Sequence, residues 1–315
     1  MQQMVNHSTI SEFHLLGFQS LPQWQILCFS MFLLIYILTI TGNVVIIAVV
    51  KLEPCLHSPM YTFLQNFSFL EIWYTTTIVP KMLSNLLIER ATISFNGCMT
   101  QLYFFVFFGA TECFLLCVMA YDRYLAICDP LHYTVSMNTL FCTRLSIGTW
   151  GIGLFTGLLP SLLISRLSFC RSNQVNHFFC DIPPLLKLSC SDTSVTETTV
   201  FLLSVLVLFT CFLLTLVSYV FIILTVLKIP SASGKKKTFS TCGSHLAVVV
   251  IYYGTMISTY VRPSASLSSE LNKAVSVFYT VVTPLLNPVI YSLRNRDFKE
   301  ALQKLVKKKR ALFNR

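Results

Sequence analysis

Two acids, Glu71 and Glu112, each stand alone inside a long apolar stretch of this chain. An ionisable group there is a functional site by default, because a charge in an apolar medium is costly. If the two meet, both cannot ionise cheaply, so one is protonated or paired with a cation. The other reading is a pair of neutral acids hydrogen-bonded to Asn43, Ser68 or Asn287. Further along, Asp122-Arg123-Tyr124 puts a guanidinium beside a carboxylate. Such an arginine can be held by the acid and later offered to a partner; a plain interfacial ion pair would contribute little. Of twelve cysteines, Cys98 lies at the start of one apolar stretch and Cys170, Cys180 and Cys190 lie between two others. Four cysteines allow three pairings, and spacing does not choose among them. His177-Phe178-Phe179-Cys180-Asp181 gathers imidazole, thiol and carboxylate, but a four-residue spread suits a metal poorly. Ser244 and His245 are adjacent, about 100° apart on a helix, and cannot act as nucleophile and base. These residues describe no enzyme, and no cofactor or resident metal is called for beyond a cation at the acidic pair.

The elements that must position these groups are membrane spans. Hydrophobic residues make up 54% of the 315 and charged residues 11%, against about 25% charge in globular chains. A helix needs ~20 apolar residues to cross a bilayer. Windows 26–50, 145–165, 198–227, 238–261 and 274–293 meet that length without a charge, and 59–80 and 97–120 hold one acid each. The fold class is therefore an all-α membrane protein, a seven-helix transmembrane bundle. Residues 1–25 precede the bundle, 26–293 form it, and 294–315 follow it. The first 25 residues hold no Lys or Arg and no short apolar core before a cleavage site, so the first span is expected to direct its own insertion.

Seven is odd, so the termini lie on opposite faces. The N-terminal segment and the loops after spans two, four and six hold seven Lys and Arg; the other loops and the tail hold sixteen. By the positive-inside rule the N-terminus is extracellular and the tail cytoplasmic, in a multi-pass plasma-membrane protein. The same topology puts Cys98, Cys170, Cys180 and Cys190 where disulfides persist. It also makes Asn6-His7-Ser8 a usable glycosylation acceptor, whereas Asn66-Phe67-Ser68 lies within a span. The net charge of +10 sits in juxtamembrane clusters such as Lys235-Lys236-Lys237 and 307–310. That points to anionic lipid headgroups rather than nucleic acid. After the last span, Phe298, Leu302 and Leu305 share one face beside lysines, the pattern of a short cytoplasmic amphipathic helix lying on the membrane.

Short motifs add what hydropathy does not. Gly42-Asn43 lies in span one and Pro59-Met60-Tyr61 opens span two. Met119-Ala120-Tyr121-Asp122-Arg123-Tyr124 ends span three, and Ser218-Tyr219 closes span five. Thr238-Phe239-Ser240-Thr241-Cys242-Gly243-Ser244-His245 opens span six, and Pro284-Leu285-Leu286-Asn287-Pro288-Val289-Ile290-Tyr291 ends span seven. Together, from Gly17 to about Lys299, they resemble the rhodopsin-like receptor family and specifically its odorant receptor branch. Asp129, Thr134, Glu71 and Tyr252 depart from that branch's usual residues. Asp129 and Thr134 fall in the second cytoplasmic loop, where they bear on coupling strength.

The resemblance implies roles. Cys98 pairs with Cys180 and Cys170 with Cys190. Glu71 and Glu112 meet midway through the bundle, where related receptors hold sodium. Asp122, Arg123, Tyr124, Tyr219, Asn287, Pro288 and Tyr291 serve activation and coupling to a stimulatory heterotrimeric G protein that raises cyclic AMP. The ligand, a small, neutral, mainly apolar volatile, is expected between the outer halves of spans three, five, six and seven. Leu102, Phe105, Val106, Gly109 and Cys113 on span three, and Tyr253, Met256, Ile257 and Tyr260 on span six, recur at helical spacing. Such stripes are equally the mark of plain core. Tyr260, near the outer end, offers a ring and a hydroxyl for oxygen-bearing ligands. Span seven holds no lysine for a retinal Schiff base. The unequal spans show no internal repeat, which disfavours a transporter. A receptor for a non-odorant metabolite in another tissue is the remaining alternative.

Overall fold

The computed structural model describes residues 10–18, 22–88, 91–170, 172–261, 269–292 and 296–313, with side chains for all of these except 22, 232–233, 236–241, 244, 269, 289, 291–292, 296 and 309–313. In chain order the helices are α1 (Gln25–Leu52), α2 (Pro59–Leu87), α3 (Phe95–Cys128), α4 (Pro130–Ser136), α5 (Thr139–Ser165), α6 (Ile182–Leu188), α7 (Ser194–Leu227) and α8 (Ala232–Tyr260). They continue with α9 (Ser269–Val277), a π-helical turn (Phe278–Val282), α10 (Thr283–Ser292) and α11 (Arg296–Phe313). The seven expected spans are α1, α2, α3, α5, α7, α8 and the α9–π–α10 run. Helix starts follow local chemistry. Pro59 and Pro130 occupy first positions where a missing N–H costs nothing. Ser94 accepts from Gly97 N at 3.1 Å and Asn138 from Phe141 N at 3.0 Å as N-caps.

Around a large apolar core the bundle also buries polar side chains, and it turns apolar ones outward. Ile26, Ile147, Phe155 and Leu206 stand exposed on its flanks, while Asn43, Glu71, Glu112 and Asn287 are buried. That arrangement suits a hydrocarbon surround. Hydroxyls inside the helices return to their own backbone: Thr75 to Glu71 O at 2.6 Å, Thr111 to Phe107 O at 2.9 Å, Ser161 to Gly157 O at 2.8 Å. α3 is the central helix. On α5, Gly157 lets Phe107 approach so closely that an added Cβ would meet the Phe107 backbone N at 3.0 Å and Cα at 3.2 Å. On α1, a Cβ at Gly42 would meet Pro288 Cβ at 2.9 Å, so the first and last spans touch through the two motifs.

A small sheet forms beside the bundle, drawing in part of the segment that precedes the first span. β1 (Glu12–Leu15) lies between β2 (Thr92–Ser94), antiparallel, and β3 (Gln174–Val175), parallel. Phe13 and Leu15 point into a cluster with Leu102, Ile164, Phe169 and Cys180. Cys98 is bonded to Cys180 and Cys170 to Cys190, with Cα–Cα distances of 5.5 and 5.9 Å. At the opposite end, Phe298 and Ala301 of α11 are buried against Ile46, Val49 and Leu56, and Leu302 and Leu305 pack beside them. Lys304 pairs with the buried Glu53 at 3.2 Å, holding α11 against the α1–α2 turn. Asn6, Arg294 and Asn295, and the side chain of Tyr291, lie outside the described residues.

Candidate functional site

Three polar or hollow regions are stacked along α3. The middle one is the acidic pair. Glu71 of α2 and Glu112 of α3 are fully buried and within reach of each other. Asn287 Nδ2 donates to Glu71 Oε1, and Asn43 Nδ2 donates to Thr39 O at 2.9 Å. This leaves Glu71 Oε2, both Glu112 oxygens, Asn43 Oδ1 and Asn287 Oδ1 buried without a hydrogen-bond partner. Buried oxygens left without a donor call either for a proton shared between the two acids or for a cation, and oxygen donors suit a hard one.

At the α11 end, Arg123 Nη2 lies 3.2 Å from Asp122 Oδ2, with the acid buried and the arginine mostly so. The sequence reading missed a third member. Tyr133 of α4 donates its hydroxyl to Asp122 Oδ1 at 2.8 Å. Burial and the Asp122 carboxylate push the Tyr133 phenol well above its ordinary range, so it stays a donor. Its helix begins at Pro130, after the Asp129 N-cap, and nothing in the local pattern shows that it folds back onto α3. Tyr219 of α7 bonds His245 Nδ1 of α8 at 2.6 Å, which joins the two helices that flank Arg123. Tyr124 packs against Phe221, centroid to centroid 5.9 Å.

Towards the sheet end lies a cavity of about 60 Å³. α3 lines it with Phe105, Val106, Gly109, Ala110 and Cys113; α5 with Thr156 and Pro160; α7 with Val200, Leu203, Ser204, Val207 and Leu208; α8 with Met256 and Tyr260; Ile182 closes it from above. Six stripe residues thus meet here: Phe105, Val106, Gly109, Cys113, Met256 and Tyr260. Three do not, and this corrects the stripe reading. Leu102 sits higher, in the cluster around the Cys98 disulfide. Tyr253 donates to Cys113 O at 2.9 Å and stacks near Phe212. Ile257 packs on the main core instead. A second correction concerns the walls: among the described residues α5 lines the cavity and the seventh span does not. Tyr279 of the π turn lies against Phe105, which in turn meets Phe179 at 4.9 Å, and these rings shut that side. Hydropathy does not mark the α7 lining residues, because that helix is apolar over most of its length.

The third correction concerns Tyr260. Its hydroxyl donates to Asp181 Oδ1 at 2.7 Å, an oxygen that also accepts from Ile182 N at 2.7 Å. The phenol's proton is therefore committed to the loop above the cavity. Burial raises the Asp181 carboxyl to about 6, with Tyr260, the Ile182 amide and Tyr279 opposing it. Nearby, His177 Nε2 meets Ser276 Oγ at 3.2 Å, and Ser276 meets the Tyr279 hydroxyl at 2.8 Å. Burial, then the Lys273 charge, lowers His177 to about 3, so it is neutral. Cys180 is spent in its disulfide, so the His177–Asp181 run is a plug over the cavity and offers no thiolate to a metal.

An all-helical membrane bundle with an apolar cavity at one end, a buried acidic pair midway and an Asp-Arg-Tyr triplet at the other end has the build of a seven-transmembrane receptor. Comparison with known proteins narrows this. A model of the olfactory receptor family matches residues 32–309. The chain is 65% identical to human Olfactory receptor 11L1, over 96% of this chain and 94% of that protein. It is 52% identical to human Olfactory receptor 1F1 and 51% to mouse Olfactory receptor 6B9, each over 96% of both chains. The chain belongs to the olfactory receptor family, the odorant-binding G-protein-coupled receptors, which are not enzymes.

Proposed function

We propose that this receptor detects a small, uncharged, mainly apolar volatile in the cavity between α3, α5, α7 and α8. Binding then activates a stimulatory heterotrimeric G protein, raising cyclic AMP. The observation that carries the reading is the cavity itself: among the described residues no Asp, Glu, Lys, Arg or His lines it. Burying an ion there would go uncompensated. The receptor sits in the plasma membrane with its N-terminus outside, because Lys and Arg gather in the opposite loops and tail.

Size supports the same class. A water needs about 10–15 Å³ on this measure, so ~60 Å³ holds four to six, or about 120–180 Å³ of liquid. Met256 and Gly109 flank the space, and α8 also carries His245 and Cys242 at its other end. A ligand that moves α8 therefore acts on the Tyr219–His245 contact beside Arg123. Freed from Asp122 and Tyr133, Arg123 would be the contact offered to the G protein. Asn43, Glu71, Glu112 and Asn287 would hold a sodium ion. That ion supplies charge compensation for the two acids, and its loss would bias the bundle toward another arrangement.

The test combines two variants at matched surface expression. Gly109→Leu fills the cavity and should blunt every agonist. Arg123→Ala should leave ligand binding intact and silence cyclic AMP. Normal responses in both would overturn the assignment of cavity and coupling site.

A further inference from the structure

Among the hydroxyls and thiols that line the cavity, nearly all are already committed. Thr156 Oγ1 donates to Ile152 O at 2.8 Å. The Cys113 thiol points to the Tyr252 hydroxyl at 3.7 Å. Tyr260 donates to Asp181. Ser204 of α7 differs. It lines the cavity, and it makes no hydrogen bond to any described residue, whereas Thr199 and Ser218 of the same helix bond backbone carbonyls at 2.7 and 2.9 Å. A donor in an apolar space gains most from a partner that only the ligand can bring.

We propose that Ser204 is the specificity-determining residue of this cavity. Its hydroxyl donates to the one oxygen of a compact, uncharged ligand, a ketone, aldehyde, ester or alcohol, whose hydrocarbon part lies against Phe105, Val106 and Met256. This rests on the reading of the cavity as the odorant site. It excludes the ionised relatives of the same carbon skeleton. Among the described residues a carboxylate would meet no lining cation and an amine no lining carboxylate, since Asp181 is fully buried, bound to Tyr260 and not part of the cavity wall.

The experiment uses the full-length receptor on cells, with unbranched ketones and esters of about four to seven carbons. The hydrocarbon, carboxylic acid and primary amine of each length complete the panel. The wild type should answer to oxygenated neutral members above the others. Ser204→Ala should shift their half-maximal concentration up by about two- to tenfold, the worth of one neutral hydrogen bond. Its response to any active hydrocarbon should be unchanged. Ser204→Thr, which keeps the hydroxyl, should recover most of the loss, a result that mere packing would not give. If Gly109→Leu blunts all agonists while Ser204→Ala shifts none, the cavity stands as the site and Ser204 is not its donor. If neither variant changes the response, the site reading falls with it. A receptor that answers to acids or amines, or to none of the ketones and esters, also overturns the proposal.

Discussion

Replacing Tyr260 by Phe removes one oxygen and leaves the ring that lines the cavity. The oxygen donates to Asp181 at 2.7 Å, in a site where the acid is buried completely. A hydrogen bond to a charged group contributes about 1.5–3 kcal/mol. Asp181 has a second response available. With its carboxyl at about 6, it is roughly nine-tenths ionised at pH 7, and taking up a proton there costs only about 1.4 kcal/mol. Neutralisation therefore limits the loss to about 1–2 kcal/mol, several degrees of melting temperature. At pH 5.5 the acid is already mostly protonated, so the same substitution should cost only the ~1 kcal/mol of a neutral bond. The assay is thermal unfolding of purified Tyr260→Phe against wild type at pH 7.5 and 5.5, with agonist responses measured in parallel. All agonists should weaken together, because the loop lid is loosened and no ligand contact is removed. An unchanged melting temperature, combined with a selective loss for oxygen-bearing agonists, would refute this and make the phenol a ligand donor.

Four further outcomes follow from the same geometry. Gly157→Ala drives a methyl into the Phe107 backbone and should destabilise the receptor by about 1–3 kcal/mol, whereas Gly151→Ala, with nothing within 4 Å, should be neutral or stabilising in the same melting assay. Cys98→Ser opens a link across 82 residues and should abolish surface expression; Cys170→Ser, across 20, should be milder by about 1 kcal/mol of loop entropy, as surface labelling would show. Glu112→Gln should change basal signalling or its dependence on sodium, and an unchanged response to sodium replacement would favour two neutral acids. Between pH 7 and 5 two plug residues oppose each other. Asp181, raised to about 6, adds ~1 kcal/mol as pH falls, and this is lost again as pH rises through 6. His177, lowered to about 3, removes ~2 kcal/mol as pH falls below its unfolded 6.5. The wild type should therefore melt lower at pH 5, and His177→Gln should reverse that sign.

Seven apolar windows, the solitary acids and the Lys and Arg asymmetry were legible without coordinates. A bilayer imposes a length and a charge rule that each segment obeys by itself. The motif residues Asp122, Arg123, Asn287 and Pro288 were legible for a similar reason, since each motif is read within a single helix. The two disulfides needed the family resemblance, because spacing among four cysteines is silent about pairing. What only tertiary structure decided are relations across helices. Phe13 and Leu15 became a strand because β2 and β3 come to meet them. Tyr133 became a partner of Asp122 because α4 turns back on α3. The cavity's walls depend on helix rotation, which a segment that is apolar on every face does not record. Leu102 and Tyr253 share the spacing of Phe105 and Met256, yet the packing of loop and neighbours sends them elsewhere. Tyr260 and Ser204 show the same limit in their hydroxyls. Both are visible as donors in the chain, and only the fold shows that Tyr260 is bound to Asp181 while Ser204 lines the cavity without a bond to a described residue.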